Sequence, residues 1–273
     1  MSVEFKGKVY TIKKKGGLLT LNLSMKKIKS ISEIKGLESL NELQVLNLSY
    51  NSIFEIEGLE SINELQVLKL SYNAIFEIEG LETLKNLREL HLDSNRIVKI
   101  KGLEALKDLK FLNLAANSIS EIGGLDTLTN LEKLYLESNN IEIIKGLDTL
   151  ENLRTLRLEG NVIAKVESFQ NKEKLTHFLF DKNPLYDRIK RVFSSTNPQN
   201  LKEFIQMSEE EIRDEEKRIA AKTSHTQQRT TYKKSDYRSG SGRSLCFAIV
   251  VLVIFFLVIL NIDKIYYWFF PSP

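Results

Sequence analysis

The chain has 273 residues, of which 27% are charged, and a formal net charge of +3. This length suits one or two domains, and the near balance of acidic and basic residues excludes a chain that binds its partners through bulk charge alone. A single cysteine, Cys246, excludes a disulfide framework.

The first 17 residues predict a hairpin that caps the domain which follows. Val3 and Phe5 precede Gly7 and Val9 follows it, so two short apolar strands flank a turn. The segment lacks the apolar stretch of a signal peptide, so we expect no secretory signal here. We expect the hairpin, residues 1–17, to cover the open end of a stacked domain.

A 22-residue unit recurs through residues 18–183. Its most regular feature is an asparagine at every 22nd position, at Asn51, Asn73, Asn95, Asn117, Asn139, Asn161 and Asn183. In most copies two leucines precede the asparagine by five and three residues, an isoleucine follows it, and Gly-Leu closes the unit. One such unit cannot bury its apolar face, so the period predicts a solenoid of stacked units.

The pattern L-x-x-L-x-L-x-x-N-x-I-x-x-I-x-G-L resembles the repeat of the leucine-rich repeat family over roughly residues 18–205. It is similar to the 22-residue class of that family, which includes an all-repeat regulatory subunit of a serine/threonine protein phosphatase. The resemblance implies an α/β solenoid with parallel strands on the concave face and short helical returns on the convex face. It also implies protein binding through aromatic and acidic residues of the concave face.

Alternation within the unit predicts which side chains are buried. Leu46 and Leu48 point into the solenoid, whereas the residues next to them point out. The asparagine should serve backbone groups that are buried in the turn after the strand. An acidic residue after each Gly-Leu is expected in the first turn of a return helix, where the helix dipole favours an anion. This acidic column consists of Glu38, Glu60, Glu82, Glu104, Asp126 and Asp148.

The outward residues of the predicted strands form a candidate binding surface. Exposed aromatic and aliphatic side chains among polar neighbours are typical of a protein-binding face. The acidic residues beside them favour a partner with a basic surface. The candidate residues are Val45, Tyr50, Val67, Tyr72, His91, Asp93, Phe111, Tyr135, Glu137, Arg157 and Glu159.

The residue inventory argues against an enzyme. His91 and His177 lie on strands four repeats apart, about 19 Å at roughly 4.8 Å per strand, which is too far to share a metal ion or a proton. No nucleophile–base pair and no phosphate-binding glycine loop is visible. We therefore expect no catalytic residue, no cofactor and no metal, and we expect no nucleic-acid partner because no recognised module supports one.

The repeat stops after Asn183, and four segments of different composition follow. Residues 184–206 place apolar side chains on one helical face and predict a cap on the last repeat. Residues 207–222 predict a charged helix that begins with a capping box at Ser208 and Glu211. Residues 223–244 predict a disordered linker whose basic residues face a single acid.

Residues 245–262 predict a transmembrane helix. The stretch LCFAIVVLVIFFLVIL, 16 residues from Leu245 to Leu260, contains no charge, and the tail at 263–273 is rich in the aromatic residues of a membrane interface. The basic linker before the span predicts, by the positive-inside rule, that the repeats face the cytoplasm. The same linker can contact anionic lipid headgroups.

These features together predict a tail-anchored scaffold or adaptor. A rigid solenoid binds a protein partner on its concave face, and one C-terminal span from Leu245 to Ile262 holds it at a membrane. The first alternative is a subunit, like the phosphatase regulator, that recruits an enzyme to that membrane. The second alternative is a surface adhesion or receptor protein, which would require a signal peptide.

Overall fold

A computed structural model describes residues 1–167, 169, 172–185 and 217 of the chain. All of these except Lys217 belong to one compact unit, Met1–Glu216. The predicted C-terminal cap beyond residue 185, the charged helix apart from Lys217, the linker, the membrane span and the tail lie outside the described residues. Within the described residues, no helix combines the length and the apolar character that crossing a membrane requires.

In the described part of the chain, thirteen strands form one sheet of nine strands and two sheets of two strands. The strands are β1 (Ser2–Phe5), β2 (Lys8–Thr11), β3 (Lys13–Lys15), β4 (Leu18–Asn22), β5 (Val45–Asn47), β6 (Val67–Lys69), β7 (Glu89–His91), β8 (Phe111–Asn113), β9 (Lys133–Tyr135), β10 (Ile143–Ile144), β11 (Thr155–Arg157), β12 (Lys165–Val166) and β13 (His177–Leu179).

The nine-stranded main sheet is the strand layer of a solenoid. Its strands follow the order β13-β11-β9-β8-β7-β6-β5-β4-β3, and all neighbours from β4 to β13 are parallel. Equivalent residues lie side by side, so Leu46 pairs with Leu68, which pairs with Leu90. The sheet therefore advances by one strand for each repeat, and the predicted solenoid with parallel strands is confirmed.

The N-terminal residues form a hairpin over the first repeat. Strands β1 and β2 pair antiparallel, with Val3 opposite Tyr10. Val3 and Phe5 are buried in the core that runs through the repeats. Strand β3 then pairs antiparallel with β4 and ends the main sheet with three lysines. Lysines on an edge strand discourage pairing with another chain.

The predicted helical returns are wrong for most repeats. Among the described returns, short 3₁₀ helices form only before the second strand of the solenoid, at Ile31–Glu33 and Leu37–Ser39. The later returns consist of two consecutive turns, as in Ile62 N–H to the Leu59 carbonyl at 3.0 Å and Leu65 N–H to the Ile62 carbonyl at 3.3 Å. Their buried residues recur every third position, which matches successive turns better than the 3.6-residue period of an α-helix.

The acidic column consequently needs a different explanation from a helix dipole. Glu60 lies in a turn, where its carboxylate accepts a hydrogen bond from the Gly58 N–H at 3.3 Å. All six members of the column are exposed to solvent. Only Glu38 lies in the first turn of a 3₁₀ helix. The column is therefore a solvated surface feature in most repeats.

The asparagine column links each repeat to the one before it, as the sequence predicts. Asn117 Nδ2 donates to the carbonyls of Leu92 and Leu114, both at 3.0 Å, and its Oδ1 accepts from the Ile97 N–H at 3.0 Å. The same pattern recurs from Asn73 to Asn183. Because these bonds lie between stacked repeats, they satisfy backbone groups that water cannot reach.

Candidate protein-binding surface

The side chains that point outward from the main sheet form the strand face, which corresponds to the predicted concave face. On each central strand the middle leucine is buried and its two neighbours are partly or fully exposed. The neighbours of the buried residue include Val45, Val67, His91, Phe111, Tyr135 and Arg157. The residues two positions after a strand include Asp93, Glu137 and Glu159, and Tyr50 and Tyr72 lie three positions after. The structure therefore brings every candidate to one side of the sheet.

Three ring side chains form a zigzag row across strands β7, β8 and β9, because His91 and Tyr135 end their strands and Phe111 begins its strand. The ring centroids of His91 and Phe111 are 4.8 Å apart, and those of Phe111 and Tyr135 are 5.1 Å apart with an interplanar angle of 81°. All three residues are half-buried. Each ring contact restricts its neighbour, so the row, termed here the aromatic row, presents a rigid apolar surface to solvent.

Arg157 continues the aromatic row and joins it to two carboxylates. Its guanidinium carbon lies 5.2 Å from the centre of the Tyr135 ring, within the range of a cation–π contact. Its Nη1 is 3.1 Å from Glu137 Oε1, and its Nη2 is 3.0 Å from Glu159 Oε1. The guanidinium is thus held between an aromatic ring and two acids, in a fixed orientation.

The two carboxylates beside Arg157 are only partly satisfied. The Oε2 atoms of Glu137 and Glu159 are buried and hydrogen-bond to none of the described residues. Burial raises the pKa of the Glu137 carboxyl, against the opposing effects of a backbone hydrogen bond and of Arg157. A buried acceptor without a donor is unfavourable. A bound molecule that donates a hydrogen bond to either oxygen would remove this cost and so favour the complex.

The surroundings of His91 disfavour its charged form. Burial lowers the pKa of the His91 imidazole, Lys69 lowers it further, and Glu89 and Asp93 oppose the shift. Its Nε2 is 3.6 Å from Glu89 Oε2, which is beyond hydrogen-bond range. The ring therefore acts in the aromatic row mainly as an apolar surface with one unused nitrogen.

Val45 and Val67 line a separate recess at the N-terminal end of the strand face. This recess has a volume of about 870 Å³ and is bordered by Tyr10 and by the lysines of strand β3. A second recess of about 410 Å³ lies against His91 and Phe111. The strand face thus combines the aromatic row with two recesses.

Tyr50 and Tyr72 form a stacked pair on the edge of the strand face. Their ring centroids are 4.3 Å apart and the ring planes differ by 8°. Both residues have left-handed backbone conformations, with φ of 59° and 56°, and both side chains are 48% exposed. Ser94, Ala116 and Ser138 share this left-handed conformation at the same position of later repeats, so it belongs to the turn of the repeat and not to the tyrosines in particular.

Three of the exposed apolar residues that were not among the sequence candidates share one repeat position. Phe54, Phe76 and Val98 are 42%, 47% and 48% exposed and occupy equivalent positions in successive repeats. Each follows a buried isoleucine rather than lying on a strand, so strand alternation does not reveal it. The signal that could have found them is a large apolar residue at a repeat position that is polar in the next two copies, at Ser120 and Glu142.

The described residues contain no cluster of three His, Cys, Asp or Glu side chains able to hold a metal ion. His91 and His177 lie on strands β7 and β13, with three other strands between them in the sheet. The strand face therefore offers apolar contact, hydrogen bonds and ion pairs.

The repeats match a known family model, described as Leucine Rich repeats (2 copies), at residues 63–105, 85–127 and 129–171. No curated protein is similar enough to the chain to match it. Among solved structures, an internalin (inlF) from Listeria monocytogenes is 28% identical, with a TM-score of 0.52 over 60% of this chain and 47% of that chain.

Two other solved structures are similar to about half of the chain. The TLR13–ssRNA13 complex is 30% identical, with a TM-score of 0.51 over 54% of this chain and 22% of that chain. A leucine-rich repeat protein of Leptospira interrogans is 30% identical, with a TM-score of 0.50 over 54% of this chain and 39% of that chain. The chain spans less than half the length of each of these three structures.

Proposed function

We propose that this chain, a leucine-rich repeat protein with a solenoid fold, is a scaffold that binds a protein partner on its strand face. The observation that carries the proposal is the aromatic row of His91, Phe111 and Tyr135, which is rigid, half-buried and central in the sheet. Aromatic residues at the centre of an exposed face contribute most of the binding energy in protein interfaces.

The charges next to the aromatic row favour a partner with a basic surface. Asp93, Glu137 and Glu159 lie at equivalent positions of three repeats, and two of them retain buried carboxylate oxygens without a donor among the described residues. The same carboxylates would repel the phosphates of a nucleic acid, so the RNA of the TLR13–ssRNA13 complex gives no model for this face. A subunit that recruits an enzyme, such as a protein phosphatase, to a membrane is the alternative proposal, and it would bind that enzyme through the same strand face.

We further propose that residues 245–262 anchor the scaffold in a membrane, with the repeats in the cytoplasm. The support is the uncharged stretch from Leu245 to Leu260, whose 16 residues extend to 18 with Asn261 and Ile262. The linker at 223–244 contains five basic residues and one acid, which favours its retention on the cytoplasmic side. A scaffold with this arrangement would concentrate its partner at a membrane surface.

The double substitution Phe111→Ala with Tyr135→Ala tests the binding proposal. Loss of two central aromatic side chains should weaken partner binding by about 2 kcal/mol or more, roughly 30-fold. The measurement is the yield of proteins that co-purify with the full-length chain, quantified by mass spectrometry. Partner yield should fall while the thermal unfolding transition stays within a few degrees of the unsubstituted chain.

A matched control uses two aromatic residues that lie off the strands. Phe54→Ala with Phe76→Ala removes two exposed phenylalanines and should leave the yield unchanged. Equal yields from both double variants would contradict binding through the aromatic row. Loss of the partner in the control alone would move the binding surface to the side of Phe54 and Phe76.

Substitution of Val253 by arginine tests the membrane proposal. An arginine at the centre of a span opposes insertion by about 2.5–3.5 kcal/mol, so the variant should shift from the carbonate-resistant membrane fraction to the supernatant. Thr231→Arg adds the same charge in the linker and should remain in the membrane fraction. Protease added to intact cells should not cleave the repeats, and cleavage there would instead favour a surface receptor.

A further inference from the structure

We propose that the recess of about 870 Å³ at the N-terminal end of the strand face binds an acidic segment of the partner protein, in which one aliphatic side chain lies between two carboxylates. This recess, termed here the basic recess, is lined by Val45, Val67 and the lysines of strand β3. The inference rests on the proposed function, and it names a second contact of the same partner, away from Glu137 and Glu159.

The strand pairing places a lysine, a threonine and two valines in one row across the sheet. Lys13 lies opposite Thr20, and Thr20 lies beside Val45. Val45 in turn lies beside Val67. Residues that pair across a sheet project from the same side of it. Because Leu46, the residue after Val45, is fully buried, the whole row projects from the strand face.

The two valines form an apolar floor with lysines on two sides. Val45 and Val67 are half-buried, so part of each side chain contacts solvent. Lys15 lies two residues after Lys13 on β3, and Lys69 lies two residues after Val67 on β6, so both also project from the strand face. All of these side chains line the basic recess.

The lining of the basic recess carries a net positive charge. Its charged residues are Lys13, Lys14, Lys15, Lys69 and Glu89. No acid among the described residues lies within ion-pair distance of any of these four lysines. The lysines therefore complement carboxylates of a partner, and the valines complement an aliphatic side chain between them. A segment with acids alone would leave the valines in water.

The separation of the lysines fits an extended segment that crosses the strands. Strands β3 and β6 are three strand spacings apart, about 14 Å at roughly 4.8 Å each. In an extended segment, residues four positions apart project from the same side and lie about 13 Å apart. The pattern Glu-x-Leu-x-Glu therefore places its leucine over the valines and a carboxylate near the lysines on each side. Such a segment lies over the face of the sheet and leaves the edge of β3 uncovered.

The opposite charge further along the strand face gives the partner a direction. Lys13 and Lys69 lie on β3 and β6, whereas Glu137 and Glu159 follow β9 and β11. A partner with an acidic segment at one end and basic residues at the other complements both regions at once. The reversed orientation would bring like charges together, so the charges select a single orientation.

Fluorescence anisotropy in low-salt buffer, with the full-length chain and the labelled peptide Gly-Glu-Ser-Leu-Ser-Glu-Gly, tests the inference. Glutamine at both glutamates keeps the shape but removes the charge, and it should weaken binding by about tenfold or more. The peptide Gly-Glu-Glu-Ser-Leu-Ser-Gly has the same composition without the spacing. It should bind more weakly than the first peptide by about threefold or more, because only one end of its carboxylate pattern reaches lysines.

Two lysine pairs locate the site. Lys13→Gln with Lys15→Gln should weaken the first peptide by about fivefold or more. Lys27→Gln with Lys29→Gln removes the same charge at two exposed positions of the first repeat that do not line the basic recess. This control should change the affinity by less than about twofold, since exposed charges that make no direct contact are screened.

The apolar floor has its own test. Val45→Thr with Val67→Thr keeps the β-branched shape that suits a strand, so the variant should fold. It should weaken the first peptide by about threefold or more, because the leucine loses apolar contact. Replacement of the peptide leucine by alanine should have a similar effect on the unsubstituted chain. If neither change alters the affinity, the valines are not part of the site and the proposal is wrong.

Equal effects of the two lysine pairs, or equal binding of the two peptides of the same composition, would show only general charge attraction and would overturn the site. Absence of binding by the first peptide at about 1 mM would overturn it as well. Each of these results leaves the proposed function standing if Phe111→Ala with Tyr135→Ala still lowers the yield of the co-purified partner. Loss of that effect would instead contradict the proposed function itself.

Discussion

Replacing Gly124 with alanine should lower the free energy of unfolding by about 2–4 kcal/mol, through a left-handed backbone and an overpacked contact. Gly124 has a φ of +64°, and a Cβ built on it would lie 2.5 Å from the Ile100 carbonyl oxygen of the preceding repeat. That oxygen belongs to the backbone of a stacked repeat, so it cannot move without disturbing the interface between the two repeats.

The neighbouring glycine provides a control at the adjacent position in the chain. A Cβ on Gly123 would meet no atom within 4 Å, and its backbone is outside the left-handed region. Gly123→Ala should therefore change the unfolding free energy by less than about 0.5 kcal/mol, or stabilise slightly by restricting the unfolded chain. Urea denaturation, followed by circular dichroism, measures the free energy of unfolding of both variants. Similar losses from the two variants would mean that close stacking of the repeats is not the reason for this glycine column.

Substitution of Asn117 by alanine should cost about 1–3 kcal/mol, because it leaves a buried N–H without an acceptor. The carbonyls of Leu92 and Leu114 keep a second partner, since each also accepts from the asparagine of an adjacent repeat. The Ile97 N–H has no such substitute and loses its bond of 3.0 Å to Asn117 Oδ1. The predicted cost therefore comes mainly from one donor.

Asn130→Ala is the matched control for this substitution. Asn130 is an exposed asparagine in a return, and its side chain donates only to the Lys107 carbonyl at 3.1 Å. Water can replace that bond, so the loss should be about 0.5 kcal/mol or less. A melting temperature of Asn117→Ala equal to that of Asn130→Ala would be inconsistent with a structural role for the asparagine column.

The candidate surface shows how far repeat periodicity reaches. Because one strand recurs in every repeat, the period alone predicts that Phe111, Tyr135 and Arg157 lie on one face of the sheet. Periodicity does not reveal that Phe111 contacts both His91 and Tyr135, since Phe111 lies two positions earlier in its repeat than His91 and Tyr135 do in theirs. Such diagonal contacts depend on the separation of neighbouring strands and on side-chain rotamers.

The returns mark the main difference between the sequence prediction and the structure. The sequence correctly predicts that Leu59, Ile62 and Leu65 are buried, and each is 0% exposed. It does not distinguish a short helix from two successive turns, because both bury apolar residues that are three positions apart. Packing in the tertiary structure decides between the short helix and the two turns. The three buried residues must all face the same core, and turns of three residues achieve this without the rotation that an α-helix introduces.

The sequence by itself determined the repeat length, the buried columns, the strand direction and the role of the asparagines. These follow from local rules, since a 22-residue period with alternating leucines can bury its apolar side chains only by parallel stacking. Only the tertiary structure decided the stacking of Tyr50 on Tyr72, the clamp on Arg157 and the orientation of the Asp93 carboxylate. Each of these depends on contacts between side chains of neighbouring repeats, and a pattern that treats each repeat separately contains no information about them.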